Sequence, residues 1–301
     1  MFLKSALSDF VRDYNEVVSR DRWLPSEWPG QDNLQKLVEM AVPLFIFAST
    51  ISRFLADVKR GRHPDSKLNL VLEYQTRSQM SKIGLTYAPV LDQLLVDEDE
   101  LFKEDRIQRF RKIIGSIILL AQPLSTLSLS RLLEIPRHEV ESELDLLHSV
   151  LNVPSNPEMP VKLFHLSFRD FLLNDHNQGK FQVDERTTHQ QLASQCLSML
   201  CTSLKKDMCN LKMPGTARKD IDEETISNSL PAEIQYACLY FDYHIQKSGR
   251  PLKDWKILSD FLNSHFLHWI EALGLMGRIT DGIKIIGGLQ EAALVSHPNA
   301  A

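Results

Sequence analysis

Residues 151–173 read LNVPSNPEMPVKLFHLSFRDFLL, and how this stretch folds decides the reading of the chain around it. Two short strand-like runs flank a loop with three prolines, and SFRDFLL then restarts a helix. Upstream, LSLSRLLEI (127–135) has the pattern of a short helix and IPRHE that of a tight turn. EVESELDLLHSVL (139–151) puts Val140, Leu144, Leu147 and Leu151 on one stripe of a second helix. Helix, turn, helix, two-stranded ribbon and closing helix make a winged helix.

Outward from this unit the pattern is mainly helical. DNLQKLVEMAV (32–42) carries Leu34, Leu37, Val38 and Ala41 on one face, with Asp32 placed as cap. Pro43 opens LFIFASTISRFLADV (44–58), apolar enough for burial on most sides. GRHPDSK (61–67) reads as a turn, followed by helical stretches around 66–77 and around Tyr87–Val96. DEDELFKEDRIQRFRK (97–112) runs from acidic to basic, which suits the helix dipole and predicts a solvated helix start. Phe110, Ile113, Ile114, Ile117, Ile118 and Leu120 carry that helix into a core. After residue 185 three stripes follow: Leu192, Cys196, Met199, Leu200 and Leu204; then Ile234, Ala237, Cys238, Phe241 and Ile245 behind Pro231; then Phe261, Leu262, His265 and Trp269. The expected fold is mainly α: a helical domain over 1–98, an embedded winged helix with a short two-stranded wing over 99–176, a helical bundle over 177–290, and a tail from 291.

Composition is ordinary for a globular protein, with 43% apolar and 24% charged residues. A net charge of −5 gives no global attraction to nucleic acid or anionic lipid. The longest apolar run, AVPLFIFASTI (41–51), is far shorter than the ~20 residues of a bilayer span. No signal peptide is visible at the start, and Cys196, Cys201, Cys209 and Cys238 show no C-x-x-C spacing. Reduced thiols in a cytoplasmic protein are expected.

No G-x-x-x-x-G-K-[ST] occurs, and GLMGRITDGIKIIGG (274–288) has neither the Lys-Ser/Thr pair nor a preceding strand. QLLVDEDE (93–100) imitates a magnesium-binding strand but runs into the charged helix start. His265 and His268 share a helix face without a third and fourth metal ligand at ligand spacing, so a packed or surface role is expected. Cys196 and Cys201 point about 140° apart on a helix, which makes them core residues. There is no G-x-S-x-G elbow and no H-E-x-x-H, so no catalytic residue and no metal site is assigned. The candidate recognition helix has Arg137 against Glu139, Glu141, Glu143 and Asp145. Phosphates would repel it, and protein contacts are favoured over DNA.

LFHLSFRDFLL resembles the H-x-S-F-x-[DE]-F-L signature in the winged-helix part of NACHT-type STAND nucleotide switches. WPGQDNLQKLVEMAVPLFIFASTISRFL (28–55), PLSTLSLSRLLEIP with LDLLHSVLNVP (123–154), LPAEIQYACLYFDYHI (230–245) and FLNSHFLHWIEALGLMGRITDGIKII (261–286) resemble the fungal vegetative-incompatibility NACHT proteins. The likeness covers roughly residues 5–290. It implies a stretch that follows a P-loop ATPase core, in a chain that switches between an ADP-bound closed state and an ATP-bound open one. It also implies two nucleotide contacts: Pro43 near the adenine and His165 on the ADP phosphates. An imidazole can donate to a phosphate oxygen, and moving the winged helix would break that bond. The alternative for His165 is a strand-end histidine hydrogen-bonded to backbone.

Without the phosphate loop and magnesium-binding acids, the expected chain is no enzyme and holds no cofactor alone; ADP or ATP enters only if a P-loop core is supplied. The expected function is a regulatory, protein-interaction module of a NACHT-type STAND switch. Its partners would be proteins, either full-length relatives or further copies of itself, with no nucleic acid and no membrane span. The alternatives are a switch subunit completed by a separate P-loop core, and a winged-helix DNA binder.

Overall fold

A computed structural model describes residues 2–57, 63–76, 81–96, 99–174, 179–212, 215–249 and 255–296. Among them are fourteen α-helices and one two-stranded antiparallel sheet, so the chain is mainly helical, as expected. It packs as two compact units interleaved along the sequence. One comprises Met1–Arg111, Glu141–Val153 and Lys162–Gln182, the other Lys112–Val140, Pro154–Val161 and Val183–Ala301.

In the first unit, α1 (Phe2–Val17) buries Leu3, Leu7, Phe10, Val11 and Tyr14, one face of a 3.6-residue repeat, and packs on α3. The start of α2 (Gln31–Ala41) differs from expectation. Its N-cap is Gly30 at φ 86°, not Asp32, because the turn from Glu27 needs a left-handed residue there; Asp32 falls in the first turn. Leu37 and Met40 are its buried residues, and Val38 is exposed. Leu44 is the N-cap of α3 (Phe45–Ala56), which buries Phe47, Ala48, Thr50, Ile51, Phe54 and Leu55. Its C-terminal end is closed by buried Lys67, whose Nζ donates to the carbonyls of Phe54 (3.0 Å) and Asp57.

Lys67 belongs to α4 (Pro64–Glu73), so PDSK is a helix start and not the turn expected. Proline tolerates the N1 position, and Gly61 and Arg62 lie outside the described residues. Helix α5 (Lys82–Asp92) is capped by Ser81 and buries every residue from Gly84 to Leu91. Helices α3, α4 and α9 all pack on it.

Helix α6 (Glu100–Leu119) begins among exposed charges, with Asp97 and Glu98 outside the described residues. The helix start is solvated as expected, and Arg106, in its second turn, is buried with its Nε 3.4 Å from Glu143 of α8 (Arg137–Leu144). Glu143 is therefore no surface charge, contrary to the count made for the recognition helix. Helix α8 also ends at Leu144, not at 151. Gln93 Nε2 donates to the Leu146 carbonyl (3.0 Å), and tight turns bring the chain to β1 (Leu151–Asn152). Leu147 and Leu151 are buried all the same, from a turn and a strand. Strand β1 pairs with β2 (Lys162–Leu163) in the register Leu151 to Leu163 and Asn152 to Lys162, the ribbon expected from the sequence. Helix α9 (Leu166–Leu173) follows.

In the second unit, Ser125 caps α7 (Thr126–Leu132) and forms a bridge to Pro160. Helix α10 (Glu185–Ser203), capped by Asp184, packs mainly on α12 (Ala232–Ser248) and also on α7 and α13. Asp222 caps the short α11 (Glu223–Ser229). Helix α12 ends at Gly249 in the left-handed region, a common C-terminal cap. Helix α13 (Trp255–Leu275) buries Phe261, Trp269, Ala272 and Leu273, whereas Leu262, expected on that stripe, is exposed. Helix α14 runs from Ile279 to Ser296.

Candidate functional site

His165 leaves β2 in extended conformation (φ −151°) and becomes the N-cap of α9. The Phe164 amide donates to the Val150 carbonyl (3.1 Å), so pairing continues one residue past β2 before the chain turns. His165 Nδ1 accepts from the backbone amide of Ser167 at 3.1 Å, and Ser167 Oγ lies 2.7 Å from the same nitrogen. A strand-end histidine bonded to backbone is thus what the geometry contains. Ser167 Oγ is also 2.8 Å from the hydroxyl of Tyr87, a buried residue of α5. The Tyr87 ring lies against Phe168 (5.1 Å between centroids) and Phe171 (5.5 Å), which fixes where that hydroxyl points. Burial raises the Tyr87 pKa, its bond to Ser167 opposes the rise, and Asp170 adds to it. The phenol therefore keeps its proton.

The surface around His165 is apolar and open. Phe164 is 42% exposed and Leu166 68%. Arg53 of α3 stacks on Phe164, its guanidinium 4.1 Å from the ring centroid. Pro43, the other candidate, is exposed between Val42 (61%) and Phe45 (63%). Arg53 is ten residues further on, about 15 Å along a helix axis. Pro43 precedes α3 and Arg53 lies in its last turn, and α3 and α9 both pack on α5.

A second polar cluster went unnoticed in the sequence and lies in the second unit. His189 of α10 and His244 of α12 are fully buried with their Nδ1 atoms 2.7 Å apart. Tyr236 Oη is 2.7 Å from His244 Nε2 and accepts from the Ala121 amide at 3.1 Å. The phenol oxygen accepts from that amide, and donation of its own proton to His244 Nε2 leaves no buried O–H unpaired. The remaining His244 proton then sits on Nδ1 and goes to His189. Burial first, and His189 second, depress the His244 pKa to about 3. The Tyr236 pKa is raised, chiefly by burial. A signal existed: His189 and His244 each fall three residues from a core position, Leu192 and Phe241, on the predicted stripes.

A cleft of about 560 Å³ in the same unit is lined in part by Lys206, Lys212, Arg218, Asp207 and Glu271. Its charges largely cancel. Asp207 accepts from the amides of Leu211 and Lys212, Glu271 from those of Asp207 and Met208, and Arg218 pairs with Glu223. Cys196, Cys209 and Cys238 are buried thiols, and Cys201 is half-buried. Burial raises the pKa of Cys196 and lifts that of Cys238 to about 12, so both stay protonated and inert. His265 Nδ1 lies 3.1 Å from the Leu204 carbonyl. Among the described residues no group of three or more His, Cys, Asp or Glu could hold a metal ion, and no helix is long and apolar enough to cross a membrane.

No family model matches the chain, and no solved structure matches it. The class of protein it is similar to is that of fungal incompatibility proteins. Vegetative incompatibility protein HET-E-1 of Podospora anserina is 26% identical over 282 residues, covering 84% of this chain and 19% of that protein. The chain spans about a fifth of that relative's length.

Proposed function

We propose that this chain is a non-catalytic regulatory and protein-interaction module of a NACHT-type STAND switch, built around a winged helix formed by α6–α9 and the β1–β2 ribbon. It docks onto a P-loop ATPase domain through the surface that carries His165, and it works in the cytoplasm. The observation that carries the reading is His165 itself. It is exposed, its Nδ1 is held, and exposed Phe164 and Leu166 flank it on a chain similar to an incompatibility protein. A docked partner would cover Leu166 and the exposed part of Phe164 beside the held imidazole.

In this reading nucleotide is bound by the partner domain, and His165 senses it from outside. The test is calorimetry with an ADP-loaded NACHT ATPase domain. The chain should bind it and tighten its hold on ADP, and His165→Ala should lower that gain several-fold. Equal ADP affinity with and without the chain would sink the proposal. Affinity that rises equally for wild type and His165→Ala would retain the docking and remove the sensing role.

A further inference from the structure

We infer that the cleft lined by the α10–α11 loop and the C-terminal end of α13 binds a small organic anion with an apolar body, the chemistry of a medium-chain carboxylate. The inference goes beyond the reading above: it concerns the second unit and owes nothing to His165.

The loop along the cleft is held against the preference of its own backbone. Asp207, Asn210 and Lys212 stand at φ 58°, 52° and 61°, in the left-handed region that a Cβ disfavours. Two carboxylates hold this shape. Glu271 of α13 accepts from the amides of Asp207 (3.2 Å) and Met208 (3.0 Å), and Asp207 accepts from those of Leu211 (2.7 Å) and Lys212 (3.0 Å). The bonds from the Lys212 and Leu211 amides lower the Asp207 pKa, so the carboxylate stays ionised in its place. Backbone strain of this sort persists only where the surroundings fix it, and it collects at ligand sites.

The volume of about 560 Å³ falls within the ~300–1,000 Å³ of small-molecule sites. Buried Ile221 and Leu275, with half-buried Leu211, give the cleft an apolar lining. Gly274 lines it as well, in the last turn of α13, where glycine weakens a helix relative to alanine. A Cβ there would meet Ile279 Cδ1 at 3.8 Å, an ordinary contact, and nothing closer. Crowding therefore does not demand this glycine, and its missing side chain leaves the space open. The formal charges around the cleft nearly cancel, so no long-range field draws a ligand in, and selection is made at contact. The oxygens of both carboxylates are turned to loop amides, and Arg218 is paired with Glu223. Lys206 and Lys212 are exposed, and neither ion-pairs with another described residue. Ammonium groups at the edge of an apolar hollow select an anion whose remainder is apolar, through a charge-assisted hydrogen bond.

The experiment uses the purified chain with octanoate, octanol and octyltrimethylammonium as probes, read by calorimetry and methyl NMR. Octanoate should bind at one site, saturating in the millimolar range or below, with the largest shifts at the Ile221 and Leu275 methyls. Octanol should bind at least about fivefold more weakly, and the cation should not bind. Lys206→Gln with Lys212→Gln should weaken octanoate about tenfold, the factor for loss of one charge-assisted contact, and leave octanol unchanged. Gly274→Leu fills the cleft and should abolish octanoate binding, whereas Gly274→Ala is too small to fill it and should retain binding. If Gly274→Leu fails to fold, the exposed lysine pair still decides the matter. Octanoate held no better than octanol, affinity indifferent to the two lysines, binding that survives in folded Gly274→Leu, or shifts centred away from Ile221 and Leu275 would each overturn the inference.

Discussion

Helices are usually capped by serine, threonine, aspartate or asparagine, and an imidazole in that place needs a reason. Two substitutions separate its roles. His165→Asn keeps an acceptor for the Ser167 amide, so stability in urea should stay within a few tenths of a kcal/mol of wild type. His165→Ala removes the acceptor and should cost about 1 kcal/mol. Neither has an imidazole, so both should weaken ADP-dependent docking; docking that survives His165→Asn would assign His165 to capping alone. The buried relay gives a second residue-scale prediction, with a sign set by burial. Folding lowers the His244 pKa from 6.5 to about 3, so between these values the unfolded chain binds a proton that the folded chain refuses. The stability linked to His244 is therefore complete above about pH 6.5 and falls as pH drops toward 3, by about 1.4 kcal/mol per pH unit. Urea midpoints at pH 7.5 and pH 5 measure it, and Tyr236→Phe should cost about 1–3 kcal/mol at either pH. At this scale the sequence was legible where a residue stood in a motif, as His165 does. Tyr87 was not, because its partner Ser167 is 80 positions away and no periodicity links them.

At the scale of elements, close approach leaves its mark in α14. A Cβ on Gly288 would lie 2.5 Å from Gln246 Nε2 and 3.0 Å from Asp242 Oδ2, both on α12, whereas one on Gly287 would meet nothing within 4 Å. Gly287→Ala should therefore stabilise the chain by up to about 1 kcal/mol through helix propensity. Gly288→Ala should gain less, because Gln246 and Asp242 must shift to admit the methyl, and paired thermal melts measure the difference. The Arg106–Glu143 pair offers the converse case. Glu143→Ala removes the buried carboxylate beside Arg106 and should destabilise the chain, by at most about 3–5 kcal/mol, and the double change Arg106→Met with Glu143→Leu should recover part of that loss. Element positions followed the apolar stripes closely for α10 and α12, where burial repeats every three or four residues. They failed at the end of α8. Leu147 and Leu151 kept the helical spacing and the burial that spacing predicts, but the Gln93 side chain and the strand partner Leu163 held them by other means. Periodicity reports which residues are buried and only indirectly what holds them. Nor could it register that α6 and α8 each contribute to both units, since it reads contiguous stretches and the packing is interleaved.

For the molecule as a whole, the question is whether this chain can grip a nucleotide unaided. Micromolar affinity corresponds to about 8 kcal/mol, and charge-assisted hydrogen bonds contribute about 1.5–3 kcal/mol each. A single His165 contact supplies a fraction of that sum. Pro43, with no polar side-chain atom, adds at most apolar contact to an adenine. The rest would have to come from a loop of backbone amides with a lysine, and the 301 residues contain no G-x-x-x-x-G-K-[ST] to build one. A net charge of −5 works against a triphosphate at long range as well. The purified chain should therefore show no ATP turnover above background, and calorimetry with ATP should give at most millimolar binding. Stoichiometric submicromolar capture of ATP would mean that a cradle exists which neither the sequence nor the described residues contain. With a NACHT ATPase domain added, the same His165 contact should matter far more, because the partner then supplies the cradle and the imidazole only has to discriminate between nucleotide states.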